Sequence, residues 1–341
     1  MGDPFSPSRV LKIDSRNVHA TYSEWPSLAR KGFEISFELP REGLRKAYVL
    51  GMGGSASGGD VIASWLTGRK GVETGVFKGQ MPIGDMRDTL AIACSVSGET
   101  EETIRMMRIA VARGATVVSM SAGGTLRSQA AKLGIPHVQM PRVVAPRYML
   151  PFIIFSSLAV LNRGLGLRCE SQASEAFREM DRTEEIIRLK TKTAENPSKK
   201  LALLMLHKTP VVYAARITRG AGVRFKNVLN ENAKKHALFD GLPDAFHNDI
   251  ESWEEQTKDF LPLFLRHSEE EPRDGRRTTA MVRILRRLGM GPVEMRGSGK
   301  SSLAQLVTMV FKLDLVSYYV AIGLGRDPFP VRLIDSLKRF P

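Results

Sequence analysis

Three short apolar runs in the first half of the chain, Ala47–Met52 (AYVLGM), Leu90–Cys94 (LAIAC) and Thr116–Met120 (TVVSM), are each followed by a longer stretch of helical pattern such as Glu101–Arg113. A short run of apolar residues without alternation suits a strand covered on both faces. Strands that repeatedly give way to helices lead to a parallel sheet with helices on both sides. The rhythm therefore predicts an α/β unit, closed by the punctuation at Pro136, Pro141 and Pro146. A second, less regular copy starts near Leu201: a strand at Pro210–Ala215, helices at Gly222–Lys235 and Arg273–Leu288, a short strand at Val293–Met295, a long helix at Ser302–Leu324 and a helical stub at Ile334–Phe340. Leu150–Leu189 reads as mostly helical linker. The expected division is an N-terminal α/β domain over 1–155, a helical linker over 156–195 and a C-terminal α/β domain with terminal helices over 196–341.

The 341 residues are 43% apolar, enough for two cores. The net charge of +14 comes from 50 Lys and Arg against 36 Asp and Glu. These cations are scattered, with only short clusters such as Lys199-Lys200, Arg276-Arg277 and Arg286-Arg287, so no nucleic-acid-binding stripe is evident and an anionic small substrate suits the charge better. Cys94 and Cys169 show neither metal-ligand nor redox spacing, which fits a reducing cytoplasm. Met149–Leu161 is short for a membrane span and contains Pro151, and Leu306–Leu324 is interrupted by Lys312 and Asp314, so both read as buried helices. The charged segment Ser268–Arg277 reads as a solvated loop.

Two strand ends carry candidate ligand chemistry. Gly51-Met52-Gly53-Gly54-Ser55 follows the first strand, where glycines let backbone N–H groups approach an anion. The spacing partly matches a dinucleotide fingerprint, but Thr67, Gly68 and Arg69 stand where that motif needs an acidic residue. The next strand ends in Ser95-Val96-Ser97-Gly98-Glu99-Thr100. Hydroxyls of Ser95, Ser97 and Thr100, joined by Ser55, would surround a phosphate monoester with neutral donors; an ordinary hydroxyl turn capping the following helix would use the same residues. Arg296–Ser302 (RGSGKSS) is no P-loop, because Glu294 occupies the position that needs glycine, and it reads as a turn and helix cap.

Farther along, Asn230-Glu231-Asn232 and His247-Asn248 flank a Gly241-Leu242-Pro243 turn. Glu231 lies in a helical pattern with Phe225, Val228 and Leu229, so it is either a half-buried general base or a solvated glutamate near Lys234 and Lys235. His247 is either a proton shuttle or a structural histidine. A phosphate cradle, a base and a histidine, without a metal cluster or a nucleotide fingerprint, together suggest cofactor-free proton transfer on a phosphorylated sugar.

The ordered set GMGGS (51–55), SxSGxTxET (95–103), Ala145-Pro146-Arg147 followed by Leu150-Pro151, Asn230-Glu231-Asn232-Ala233-Lys234, His247-Asn248 and Ile334-Asp335-x-Leu337-Lys338 resembles the archaeal bifunctional phosphoglucose/phosphomannose isomerases of the sugar-isomerase (SIS) superfamily. The resemblance runs from about residue 45 to the C-terminus. It implies two SIS domains, each a mainly parallel, doubly wound, flavodoxin-like sheet flanked by helices. It also implies a homodimer whose site is shared between subunits, with no metal or nucleotide cofactor and no nucleic-acid or membrane partner. Gly54, Ser55, Ser95, Ser97 and Thr100 would hold the substrate phosphate. Glu231 would move a proton between C2 and C1 through a cis-enediol, Arg147 would stabilise the enediolate, and His247, from across the dimer, and Lys338 would assist ring opening.

The chain departs from the pattern at Val96 and Glu99, where relatives carry Tyr and Asn, and at Phe246, where a second histidine stands. Glu99 adds negative charge beside a phosphate and would weaken binding if it pointed inward, so it is expected to face solvent. Val331 replaces a threonine associated with acceptance of both C2 epimers, which leaves mannose 6-phosphate less secure than glucose 6-phosphate. The rival readings are an amino-sugar phosphate isomerase and a non-catalytic sugar-phosphate sensor.

Overall fold

A computed structural model describes residues 3–39, 43–69, 71–81, 84–255 and 258–337. In chain order, α1 (Pro7–Ile13) and α2 (Val18–Ser23) are followed by α3 (Trp25–Phe33), β1 (Lys46–Gly51), α4 (Gly53–Leu66), β2 (Glu73–Phe77), β3 (Thr89–Cys94), α5 (Glu101–Ala112), β4 (Thr116–Ser121), α6 (Gly124–Lys132), β5 (His137–Gln139), α7 (Leu150–Leu165) and α8 (Glu170–Ile187). Then come α9 (Pro197–Met205), β6 (Thr209–Ala214), α10 (Arg219–Ala233), β7 (Leu238–Gly241), β8 (Phe260–Arg266), α11 (Pro272–Arg287), β9 (Val293–Arg296), α12 (Ser302–Gly323) and α13 (Arg332–Leu337). The chain divides into two compact units, Glu24–Phe177 and Met1–Ser23 together with Arg178–Pro341.

The unit Glu24–Phe177 holds a five-stranded parallel sheet in the order β2-β1-β3-β4-β5. All six residues of the central strand β3 are buried, as the unbroken apolar run requires. On one face Tyr48, Leu50, Ala91, Ala93 and Val117 pack with Ile104, Met107 and Leu126 of α5 and α6. Helices α4 and α7 belong to this unit as well, and glycines let them close tightly. A Cβ at Gly59 would lie 2.6 Å from Val49 Cγ1, one at Gly58 2.5 Å from Ile153 Cγ2, and one at Gly164 2.4 Å from Leu90 Cδ2. Helix α7 therefore packs into the core of this unit, and the division given by the structure differs here from the sequence boundaries at 155 and 195. The edge strands β2 and β5 had no sequence signal: β2 is only partly covered and β5 has three residues.

The other unit carries a four-stranded parallel sheet, β7-β6-β8-β9. Val211, Tyr213 and Phe264 pack with Trp253, Met281, Val282 and Leu285 on one side. Helix α12 is mostly apolar and almost wholly buried; it and the Pro146–Leu165 segment are long and apolar enough to cross a membrane, yet both are largely buried. Strand β8, absent from the sequence reading, contains Pro262, a residue that argues against an interior strand. Its pairing with β9 begins only at Leu263, so at Pro262 that side carries no ladder to interrupt. The segment Ser268–Arg277 is only in part a solvated loop: α11 starts at Pro272, and Glu270 turns inward to Arg266.

The N-terminal helices complete this second unit. The Asp14 carboxylate accepts from the N–H of Val18 at 2.7 Å and from Tyr318 Oη at 2.9 Å, and Phe5 packs on Tyr319 with ring centroids 5.4 Å apart. Burial pushes the Asp14 carboxyl up, but its hydrogen bonds from His19, Val18 and Tyr318 hold it below the ordinary value.

Candidate active site

In a sheet of order 2-1-3-4-5 the crossovers leave β1 and β3 in opposite directions, which opens a crevice beyond their carboxyl ends. Both motifs picked out in the sequence sit there. Ser55 lies in the first turn of α4 and its Oγ accepts from the N–H of Val96 at 3.3 Å, joining the two strand ends. Ser95 Oγ lies 2.9 Å from Thr100 Oγ1 and 3.4 Å from Ser97 Oγ. Ser95 Oγ also accepts from the N–H of Gly98 at 3.1 Å, and Ser97 Oγ from that of Glu99 at 3.2 Å. Ser95 and Ser55 are buried, Thr100 is half-buried and Ser97 is exposed. The loop is thus an ordered hydroxyl turn in front of α5, with Ser55 beside it.

Gly98 allows the turn to close. Its φ is +77°, and a Cβ there would come within 1.9 Å of the carbonyl oxygen of Gly123. The carbonyl of Gly98 accepts from the N–H of Leu126 at 2.8 Å, and that of Val96 from Ala122 at 2.9 Å, so the loop is bolted to the start of α6. Glu99 faces the same way: its Oε1 accepts from the N–H of Thr125 at 3.0 Å and its Oε2 from Thr125 Oγ1 at 2.7 Å. Its charge thereby meets the positive end of α6.

Arg147 joins this cluster. It lies in the 3-10 turn Pro146–Met149, is buried, and packs its backbone on the glycine turn, since a Cβ at Gly54 would lie 3.2 Å from Arg147 Cα. Its guanidinium carbon sits 4.6 Å from the centroid of the Tyr148 ring. Gly54, Ser55, Ser95, Ser97, Thr100 and Arg147 are therefore all brought together within Glu24–Phe177.

Cys94 ends β3 just before this loop; burial pushes its thiol up to about 12, and Cys169 is likewise buried. Among the described residues no three His, Cys, Asp or Glu side chains are grouped so as to hold a metal ion.

Glu231 and His247 belong to the other unit. The two asparagines flanking Glu231 are structural. Asn230 Nδ2 donates to the carbonyl of Lys235 at 2.7 Å beyond the C-terminus of α10, and buried Asn232 Nδ2 donates to Tyr22 Oη at 3.0 Å and Ser317 Oγ at 2.9 Å. Glu231 between them is half-buried. Arg224, two helical turns earlier on the same face, feels its charge. Arg224 itself is held by Asp314 of α12, Nε to Oδ1 at 3.0 Å and Nη2 to Oδ2 at 2.5 Å, with 1% and 0% of the two side chains exposed. This buried pair had no signal in the sequence beyond the charges inside two helical patterns.

His247 ends the 3-10 turn Asp244–His247 after β7 and is exposed, while Phe246 packs against the core. Val331 lies partly exposed just before α13. Lys338 falls outside the described residues. Ser301 caps α12 with its Oγ accepting from the N–H of Ala304 at 3.3 Å, as read for the RGSGKSS segment.

Residues 194–340 match a family model described as the bacterial phospho-glucose isomerase C-terminal SIS domain. The chain is 30% identical over 292 residues to a bifunctional phosphoglucose/phosphomannose isomerase from Aquifex aeolicus, covering 84% of this chain and 88% of that one. It is also 29% identical over 247 residues to a D-glucosamine-6-phosphate 4-epimerase from Sulfolobus acidocaldarius, covering 72% and 76% of the two chains. Among solved structures, a hypothetical protein from Thermus thermophilus superposes with a TM-score of 0.72 at 17% identity, over 97% of this chain and 92% of that one. With two parallel α/β units, a hydroxyl loop at the strand-end crevice and a relative of this similarity over most of its length, the chain belongs to the bifunctional phosphoglucose/phosphomannose isomerase family.

Proposed function

We propose that the protein interconverts aldose and ketose 6-phosphates, glucose 6-phosphate with fructose 6-phosphate in the first place and mannose 6-phosphate as a second aldose. The observation that carries this reading is the hydroxyl loop Ser95–Thr100 with Ser55 beside it and Arg147 packed on Gly54. Neutral donors around a phosphate leave the cation available for charge that develops on the sugar. Glu231 takes the proton from C2 of the open-chain aldose and returns it to C1, while the hydroxyl proton passes from O2 to O1. Arg147, planar and permanently charged, stabilises the enediolate between these steps. Lys338 and the partner subunit's His247 assist ring opening, so the working form is a homodimer in the cytoplasm. The sequence similarity to a D-glucosamine-6-phosphate 4-epimerase favours a second reading, an amino-sugar phosphate as substrate.

The test is a coupled assay of the purified chain on glucose 6-phosphate, mannose 6-phosphate and glucosamine 6-phosphate, with EDTA present. Turnover of glucose 6-phosphate is expected, with mannose 6-phosphate the slower substrate because Val331 offers no hydrogen bond. Turnover of glucosamine 6-phosphate alone would replace the first reading by the second. An active monomer in light scattering would remove the shared site.

A further inference from the structure

The two sheets can be matched strand by strand. β1 pairs with β2 and β3, and β6 with β7 and β8, so the crevice between β1 and β3 has its counterpart between β6 and β8. Gly51 pairs with Cys94 at the end of one crevice and Ala214 with Leu265 at the end of the other. Six residues then precede the next helix in each case: Ser95-Val96-Ser97-Gly98-Glu99-Thr100 before α5, and Arg266-His267-Ser268-Glu269-Glu270-Glu271 before α11. The bonded hydroxyls of Ser95 and Thr100 thus become Arg266 and Glu271.

The second loop is full. The Glu270 carboxylate accepts from Arg266 Nε at 2.9 Å through Oε1 and 3.0 Å through Oε2, from Arg266 Nη2 at 2.9 Å, and from the backbone N–H of His267 at 2.6 Å. Only 7% of the Arg266 side chain and 11% of that of Glu270 is exposed. The remaining edge of the guanidinium donates to Glu294 at 2.6 Å. The His267 ring adds no charge here: its Nδ1 accepts from the N–H of Glu269 at 3.0 Å, which leaves Nε2 to donate to the carbonyl of Ser302 at 3.1 Å. A guanidinium and a backbone N–H converging at a strand-end crevice are the donors that an oxyanion seeks.

We infer that the loop 266–271 is an anion-binding loop occupied from within. By position Glu270 answers to Glu99, but where Glu99 turns out to Thr125 the Glu270 carboxylate turns in to Arg266 and the N–H of His267; this unit therefore takes no phosphosugar, and removal of that carboxylate opens a second oxyanion site built on Arg266 and the N–H of His267. The bidentate edge of the guanidinium fits a phosphate or sulfate, and no sugar-binding group is required.

Full-length protein with Glu270→Ala, titrated with inorganic phosphate by calorimetry or equilibrium dialysis, is expected to bind one phosphate more per chain than the wild type. Adding Arg266→Met should return the count to the wild-type value. Circular dichroism establishes that each variant is folded. Should Glu270→Ala not fold, Glu270→Gln keeps an uncharged partner for Arg266 and is expected to gain the same phosphate more weakly. Folded variants with an unchanged phosphate count would overturn the inference, as would a wild-type phosphate lost on Arg266→Met alone. The count is a difference between variant and wild type and uses no isomerase readout, so it stands or falls apart from the proposed activity.

Discussion

Ser95 Oγ and Thr100 Oγ1 lie 2.9 Å apart across the turn that opens α5. Each hydroxyl can point its proton at the other or at an anion placed in the loop, and under the proposed function the pair would donate to the substrate phosphate. Thr100→Val keeps the shape and removes one donor. It should weaken fructose 6-phosphate binding by about 2- to 30-fold, the worth of roughly 0.5–2 kcal/mol for a hydrogen bond, with kcat changed much less. Steady-state kinetics check this, and a loss confined to kcat would remove Thr100 from the phosphate site.

Glu231→Gln preserves the side chain's size and removes its proton-accepting charge. Turnover should fall by roughly 10²–10⁴-fold with KM for glucose 6-phosphate nearly unchanged. Retained turnover would place the base elsewhere.

Gly98 is at φ +77° and has no room for a methyl group beside the carbonyl of Gly123. Gly98→Ala should destabilise the protein by at least about 2 kcal/mol and disorder the Ser95–Thr100 turn. Thermal melts should show a lower Tm, with phosphosugar affinity lost alongside it. Gly53, equally left-handed at φ +51° but with open space around it, is the control expected to lose less.

Arg224 and Asp314 form a buried pair. Asp314→Ala leaves a buried guanidinium with its main counter-charge gone, which should cost about 3–5 kcal/mol. The joint replacement Arg224→Leu with Asp314→Leu should recover a good part of that stability. Because Arg224 also faces Glu231, the double variant should retain its fold yet show an altered pH profile for turnover. An unaltered profile would disconnect the pair from the base.

His137 of β5 is held below the usual histidine value, first by burial and then by the nearby Arg127. Its neutral ring contacts Ser119 Oγ at 2.8 Å. The unfolded chain takes up the proton more readily than the folded one, so this histidine's contribution to stability is complete above about pH 6.5 and declines as the pH falls through that value towards the folded pKa. His137→Gln should therefore flatten the fall in Tm between pH 7.5 and 5. Parallel slopes for the two proteins would contradict the assignment.

The hydroxyl loop was legible in the sequence because its parts are consecutive: a buried strand, six residues, then a helix start. The GMGGS turn was legible for the same reason. The edge strands β2 and β5 were not, since a strand covered on one side needs no unbroken apolar run. Strand β8 was hidden by Pro262, tolerated because pairing with β9 starts one residue later. The direction of Glu99 rests on Thr125, 26 positions away, and the packing of Arg147 on Gly54 on a still longer separation. Neither leaves a trace in local pattern. The inward turn of Glu270 was missed for a related reason: a run of three glutamates beside arginines looks solvated until the strand ends that converge on it are known.

The first helices also set an order of assembly. Everything needed for the five-stranded unit has been synthesised once Phe177 is made, so it can close while translation continues. Asp14, Tyr22 and Phe5, made before any of it, find their partners Tyr318, Asp314 and Tyr319 only when α12 emerges near the end. The earliest residues are thus among the last to be placed, and trimming the N-terminus would strike the unit formed by the C-terminal half.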